Sequence, residues 1–243
     1  SDRKDMALHD GQNELISALA GINPRLAVVL VGGSPVEMPW IDEVPAVVQM
    51  WYAGMEAGNA IADVLFGRVN PSGKLPFTFP KRLADSPAHA LNDYQPLICH
   101  YAEDLLMGYR WFDTKQIEPL FPFGHGLSYT AFEYGEPMVE TDGGEVVVRM
   151  KLANVGNRFG RETVQLYIAP PKSAFLRPVQ ELKGFAKVAL EPGESREVEF
   201  RLNARSFAIY HPDKREWFVE PGRYLLRLGA SSRDIRREIA VER

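Results

Sequence analysis

The sequence has little of what several classes of protein require. It contains one cysteine, Cys99, in 243 residues, so neither an internal disulfide nor a metal site built from cysteine thiolates can form. No apolar run approaches the ~20 residues that a membrane-spanning helix needs. The net charge of −4 argues against nucleic acid as the main partner. We therefore expect a globular chain whose partners are neither a membrane nor a nucleic acid.

Motifs that commonly mark catalysis are also missing. The five histidines are not paired at a metal-ligand spacing such as H-x-x-x-H. No serine lies in a G-x-S-x-G elbow, and the GGSP turn at residues 32–35 lacks the pattern of a phosphate loop. Acidic residues such as Asp42 and Glu43 fall on loops or at element ends, where solvated or capping roles are usual. The residues alone therefore indicate no metal site and no catalytic group.

The first part of the chain alternates helices with buried strands. Apolar residues recur at helical spacing over residues 12–22 and again over residues 57–65, where Gly67 supplies a C-terminal stop. Continuous apolar runs at residues 26–31 and 46–51 are typical of strands covered on both faces, and residues 75–79 predict a further short strand. This pattern indicates an α/β fold, specifically a partial α/β/α sandwich with a mostly parallel sheet.

The second part changes to a period of two residues. About seven short alternating segments separated by turn signals such as Glu191-Pro192-Gly193 predict an all-β, fibronectin type III-like sandwich. Between the two parts lies an aromatic-rich segment that is too apolar for a flexible linker and is expected to wrap over the protein. The predicted domains are residues 1–85 (α/β), 86–128 (the wrapping arm) and 129–243 (the sandwich).

Aromatic residues offer the main alternative to a purely structural interpretation. An aromatic ring presents a flat apolar face to the C–H side of a pyranose. Trp40, Trp51, Trp111 and Trp217 therefore fit either sugar stacking or core packing. His125 is the one histidine in a tight aromatic setting, which suits either a structural or a binding role.

Six segments in order resemble glycoside hydrolase family 3, and in particular its β-glucosidases. They are GSPVEMPW (33–40), WYAGMEAG (51–58), ADVLFG (62–67), NPSGKLP (70–76), GYRWFD (108–113) and FPFGHGLSY (121–129). Residues 163–193, with QELKGF (180–185) and LEPG (190–193), are similar to the family's C-terminal fibronectin type III-like domain. The resemblance covers essentially the whole chain.

The resemblance implies a reaction and a domain order. Full-length members begin with a barrel domain that carries a nucleophilic Asp. An α/β sandwich with the acid/base Glu follows, and a fibronectin-like domain comes last. They hydrolyse β-glycosidic bonds with retention, which needs two carboxyl groups about 5–5.5 Å apart. No metal or organic cofactor is implied. The implied partners are a β-glucoside or cello-oligosaccharide substrate and the upstream barrel of the same protein, and a homodimer stays open.

The start of the chain departs from the family pattern. Many members read Glu-Gly-x-Asp-Arg, in which that Glu is the acid/base. Asp2 and Arg3 match the Asp-Arg pair and Ser1 the variable position, so the matching Glu would lie two residues before Ser1. No catalytic residue is carried over to this chain, which we expect to be a C-terminal portion that is inactive alone. Asp2 and Arg3 are expected either to help hold the acid/base loop or to be frayed terminal residues.

One further residue is a candidate for substrate contact. Phe175, in the loop of residues 170–178, is expected to be an exposed ring that suits sugar stacking or a dimer contact. The alternative functions are a non-catalytic carbohydrate-binding or adhesion module and a catalytically inactive scaffold subunit. The sequence fixes neither the preferred glycoside nor the compartment, although a periplasmic or secreted location is favoured over the cytoplasm.

Overall fold

The computed structural model describes residues 4–93 and 97–243. They form two compact units that interleave along the sequence. The first holds the described residues up to 69 together with 79–99 and 118–120, and the second holds 70–78, 100–117 and 121–243. The contiguous domains 1–85, 86–128 and 129–243 stay a prediction. None of the described helices is both long and apolar enough to cross a bilayer.

The first unit contains two helices beside a pair of strands. Its elements are α1 (Gln12–Ile22), β1 (Ala27–Leu30), a 3₁₀ turn (Ile41–Glu43), β2 (Ala46–Gln49), α2 (Ala57–Leu65), a second 3₁₀ turn (Leu83–Asp85) and the short α3 (Pro87–Ala90). Strands β1 and β2 pair in parallel, from Ala27 opposite Ala46 to Leu30 opposite Gln49. Both predicted helices are confirmed, and Gly67 after α2 adopts the left-handed conformation, with φ of 70°, that suits a glycine stop.

Two predictions about strands are wrong. The sheets of the described chain are mostly antiparallel rather than mostly parallel, and the one parallel pair among the described residues, β1–β2, lies in the first unit. Residues 75–79 form no strand beyond an isolated bridge at Phe79. Pro76 and Pro80 lack the N–H that a ladder requires. Leu75 instead exchanges backbone hydrogen bonds of 2.8 and 2.9 Å with His125 and Gly124.

Much apolar surface of the first unit stays uncovered within the described residues. No residue of α1 or α2 is buried. On α1 the exposed residues Leu15, Leu19 and Ile22 are spaced i, i+4 and i+7, so they lie on one helical face. Phe66, just after α2, is 81% exposed. The apolar face of α1 and the Phe66 ring are therefore not covered by the described residues.

The second unit is the predicted β-sandwich. Its strands are β3 (Phe132–Tyr134), β4 (Met138–Asp142), β5 (Glu145–Asn154), β6 (Gly160–Ala169), β7 (Glu181–Leu190), β8 (Ser195–Leu202), β9 (Ile209–His211), β10 (Glu216–Phe218), β11 (Arg223–Gly229) and β12 (Ile235–Glu242), with the short helices α4 (Tyr109–Thr114) and α5 (Ala204–Phe207). One sheet has the order β12-β11-β6-β7. In the other, β5 pairs with β8 along one edge and with β4 and β3 along the other. A separate hairpin joins β9 to β10.

Alternate residues of both sheets meet in one core. Val146, Val148, Met150 and Leu152 of β5 are at most 1% exposed, and they share a cluster with residues of β6, β8 and β11. The two-residue period predicted from the sequence is therefore confirmed. Burying each such side chain favours folding by roughly 1.5–3 kcal/mol, so this core is the main source of stability in the unit.

Two segments matched by the family motifs fasten onto the sandwich. We call residues 70–75 and 124–130 the clasp. The amide oxygen of Asn70 accepts hydrogen bonds from Ser128 Oγ (3.1 Å) and the Tyr129 backbone N–H (2.8 Å), and its amide nitrogen donates to the Phe159 carbonyl (2.9 Å). A Cβ on Gly126 would lie 2.2 Å from the Gly73 carbonyl oxygen. Only glycine therefore allows the two segments to approach this closely.

A buried ion pair ties the clasp to β6. Lys74 Nζ lies 3.0 Å from Glu162 Oε1, with the two side chains 13% and 9% exposed. Lys74 also donates to the Gly126 carbonyl at 2.9 Å, and Glu162 accepts a 2.8 Å bond from the Thr163 N–H. A buried ion pair tolerates desolvation only when further hydrogen bonds satisfy its partners. Here both charges have such bonds.

We predict that Lys74→Met lowers the free energy of unfolding by about 3–5 kcal/mol, because it leaves the Glu162 carboxylate buried without its cation. Urea denaturation measures this. The control is Arg196→Met, which removes a cation from the exposed Arg196–Glu194 pair and should cost no more than about 1 kcal/mol. Equal losses in the two variants would contradict the role given to the buried pair.

Candidate functional site

The structure places Phe175 differently from the sequence prediction, and Asp2 and Arg3 lie outside the described residues. Phe175 is half-buried rather than an exposed tip. Its ring meets those of His211 and Phe218 edge-on, at centroid distances of 5.1 and 5.6 Å. Ser173 shapes the loop, since its hydroxyl accepts from the Phe175 N–H (3.0 Å) and donates to Glu220 (2.7 Å). The exposure expected of Phe175 is therefore wrong, and its role in substrate contact stays a prediction.

Phe175 lines a cavity of about 530 Å³ within the second unit, which we call the Phe175 groove. Four parts of the chain contribute to it: residues 104–110 of the arm, residues 175–178 of the loop, the start of β7, and the β9–β10 hairpin with the preceding helix α5. These parts are far apart in the sequence. Their meeting follows from the topology of the sandwich, which local sequence patterns do not predict.

Aromatic rings form one end of the groove. Tyr210 and Trp217 are register partners across the β9–β10 hairpin, with ring centroids 5.3 Å apart. They remain 41% and 49% exposed. The guanidinium carbon of Arg205 lies 3.1 Å from the centroid of the Trp217 ring, which is a cation–π contact. This end of the groove thus combines apolar ring surface with a positive charge.

The remaining charges in the groove are largely paired. Arg110 and Lys183 each lie 3.3 Å from the carboxylate of Glu181. Arg177 is nearly buried and binds Glu220 at 2.9 Å. In all, four cationic side chains and two carboxylates, Asp104 and Glu181, line the groove. With Glu220 counted beside Arg177, four cations face three carboxylates, a balance of one positive charge although the whole chain is acidic.

The four tryptophans divide between core and surface. Trp40 is fully buried and its indole N–H donates to Asn13 at 2.8 Å. Trp111 is also buried, in a cluster with Leu106 and Phe112. Trp51 is half-buried and meets the Phe79 ring edge-on at 6.1 Å. Core packing is therefore the role of Trp40 and Trp111, whereas Trp217 presents ring surface to a cavity.

His125 belongs to the clasp. Its ring stacks on Phe121 at a centroid distance of 5.1 Å. Burial and the nearby Lys74 charge lower the pKa of His125, against a smaller opposing effect of Asp234. A half-buried imidazole stacked on Phe121 supports the structural interpretation of this residue.

A polar network that the sequence did not reveal fixes the arm to the sandwich. Asp113, from the GYRWFD motif, accepts hydrogen bonds from Arg233 Nε (2.5 Å) and Gln180 Nε2 (3.0 Å). Arg233 also donates to the carbonyls of Phe112 (3.0 Å) and Ile117 (3.1 Å). Burial raises the pKa of Asp113, while the bonds from Arg233 and Gln180 act in the opposite direction. Arg233 is thus a structural anchor.

Among residues 4–93 and 97–243, no group of three or more acidic, histidine or cysteine side chains could hold a metal ion. The candidate chemistry of the described chain therefore rests on the aromatic and charged side chains of the Phe175 groove.

The fold defines a class of protein in which an α/β unit is combined with a fibronectin type III-like sandwich. Residues 1–129, just over half of the chain, match the family model described as the glycosyl hydrolase family 3 C-terminal domain. Residues 162–232 match a fibronectin type III-like domain. The chain belongs to glycoside hydrolase family 3, as its motifs predicted.

Curated relatives are similar over nearly the whole chain. It is 49% identical over 238 residues to thermostable β-glucosidase B of Acetivibrio thermocellus and 46% identical over 250 residues to a β-glucosidase of Bacteroides ovatus. These matches cover 96% and 99% of this chain but 32% and 33% of the relatives. The chain thus spans about a third of the length of the curated relatives it matches.

Solved structures agree with this assignment. The β-glucosidase of Kluyveromyces marxianus in complex with glucose superposes with a TM-score of 0.95 at 40% identity, covering 100% of this chain and 29% of that one. β-Glucosidase 3B of Thermotoga neapolitana, also with glucose, gives 0.93 at 41% identity and covers 99% and 35%. The fold of this chain is therefore that of the corresponding part of these proteins.

Proposed function

We propose that this chain is the C-terminal part of a retaining β-glucosidase that removes terminal β-D-glucosyl residues from oligosaccharides or glycosides. The observation that carries the proposal is the match over 96–99% of the chain, at 46–49% identity, to proteins named β-glucosidases. The glucose complexes among the similar structures support glucose as the sugar recognised.

The proposed chemistry requires residues beyond this chain. Retention of configuration uses one carboxylate as nucleophile and a second carboxyl group as acid and then base, about 5–5.5 Å apart. We place both, the barrel's Asp and the Glu of the Glu-Gly-x-Asp-Arg motif, in an upstream part of the same protein. The present chain would then frame the catalytic site without supplying either carboxylate.

The exposed apolar face of the first unit supports an upstream partner. Leu15, Leu19 and Ile22 form one stripe on α1, and Phe66 adds a nearly bare ring after α2. Contiguous apolar patches on a protein surface commonly mark an interaction site. We propose that the upstream part of the same protein covers this stripe. The second unit, by contrast, has a closed core of its own.

We predict that the double variant Leu15→Gln, Ile22→Gln lowers the free energy of unfolding of the complete protein by at least about 2 kcal/mol, because it places amides in an apolar contact. In the 243-residue chain alone it should improve solubility with little change in stability. Urea denaturation and sedimentation measure the two effects.

The matched control for this variant is Glu14→Gln, an exposed polar change on the same helix, which should have neither effect. If the complete protein tolerates the double variant as well as the control, the stripe is not an interface.

The function itself is tested by assaying an aryl β-glucoside. We expect the complete protein to hydrolyse it and the isolated 243-residue chain to give no turnover, because the chain holds neither catalytic carboxylate. Released phenol measures the rate. Clear turnover by the isolated chain, lost on a substitution within it, would place the catalytic residues here and contradict the proposal.

We also propose that Phe175 contributes either to an outer sugar subsite or to a dimer contact. In the complete protein, Phe175→Ala should alter aglycone preference, seen in kcat/KM for a series of β-glucosides, or the oligomeric state, seen by light scattering. Phe185, an exposed ring on β7 outside the groove, provides the control variant Phe185→Ala. Phe175 has neither role if both properties stay unchanged.

A further inference from the structure

Arg205 differs from the other cations of the Phe175 groove because no carboxylate among the described residues pairs with it. Its guanidinium lies over the Trp217 ring, and it makes no ion pair or side-chain hydrogen bond with the other described residues. A guanidinium that stacks on a ring keeps its N–H donors in its own plane, where they can bind a carboxylate through two parallel bonds. The guanidinium thus lies against the Trp217 ring and has no acceptor among the residues that the structure describes.

The neighbouring charges leave Arg205 electrostatically unbalanced. Glu181 forms ion pairs with both Arg110 and Lys183, at 3.3 Å each. Glu220 forms an ion pair with Arg177 at 2.9 Å. Asp104 is the other carboxylate in the lining, and it is exposed on the arm. A cleft with an excess of one charge concentrates ligands of the opposite charge. The groove therefore favours an anion over a neutral ligand.

The rings beside Arg205 belong to a hairpin that packs on other aromatic side chains. Tyr210 and Trp217 lie opposite each other in its register. Behind them, His211 and Phe218 of the same strands pack against Phe175 and against each other at 5.1–5.6 Å. Preorganised ring surface lowers the cost of binding. Phe175 thus acts here as the support of the platform, and Tyr210 and Trp217 supply its open surface.

We propose that this end of the groove binds an oligosaccharide that carries a carboxylate, with the carboxylate on Arg205 and a pyranose ring against Tyr210 and Trp217. The combination of one unpaired guanidinium and adjoining aromatic surface fits a uronic acid residue. A polyanion such as nucleic acid is disfavoured, because the net charge of −4 on the whole chain would repel it. The proposal concerns binding alone and does not require the β-glucosidase function.

A matched pair of sugars tests this. Cellobiose and cellobiouronic acid differ in one group, since the acid has a carboxylate at C6 of its non-reducing ring. Calorimetric titration of the 243-residue chain should show that the acid binds about tenfold more tightly than cellobiose, as one charge-assisted bidentate contact warrants. Added salt should reduce the difference.

Variants locate the site. Arg205→Gln should reduce the ratio of the two affinities from about tenfold to about one. Trp217→Ala should weaken both sugars, with Trp217→Phe as the variant that retains a ring if the hairpin needs one. The control is Arg161→Gln, because Arg161 lies 5.3 Å over the Phe159 ring outside the groove and is the same kind of pair.

Several results would overturn the proposal: equal affinity for the two sugars, no binding of the acid, or the same response to Arg205→Gln as to Arg161→Gln. The aryl β-glucoside assay of the complete protein is independent of these results. A protein that hydrolyses the glucoside but ignores the acid would retain the proposed function and lose this inference.

Discussion

One buried ion pair joins three distant segments of the sandwich unit. Lys74 contacts Glu162 on β6 and the Gly126 carbonyl at the same time, so residues near positions 74, 126 and 162 are held at one point. The cost of desolvating both charges is offset only while these contacts persist together. The position of the clasp on the sandwich therefore depends on this pair together with the bond from Asn70 to the Phe159 carbonyl, and the close approach of Gly73 and Gly126 depends on the clasp.

Three of the family motifs supply contacts that hold the second unit together. Asn70 and Lys74 of NPSGKLP and Gly126 of FPFGHGLSY form the clasp, and Asp113 of GYRWFD receives Arg233 and Gln180. The described contacts of these residues are structural. Three of the six motifs thus mark the way in which the second unit is held together.

Local patterns predicted the elements but not their partners. The apolar spacing of α1 and the alternation in β5 are properties of neighbouring residues, so both were predicted correctly. An apolar run such as residues 26–31 predicts a strand but not how many partners it has. That strand pairs in parallel with β2, yet residues 75–79 form no further strand beside it, and so the mostly parallel sheet was wrong. The groove was missed for the same reason. Arg205 contacts Trp217 only because the β9–β10 hairpin brings the two together. Phe175 was expected to be exposed, but its ring packs against His211 and Phe218.

The central claim is that this chain frames a catalytic site whose two carboxylates lie upstream in the same protein. Mixing is the most direct test: the upstream part and the 243-residue chain are purified separately and assayed alone and together on an aryl β-glucoside. The account predicts turnover that appears on mixing and rises with the concentration of the chain until it saturates. Full activity of the upstream part without the chain, or activity of the chain by itself, would contradict it.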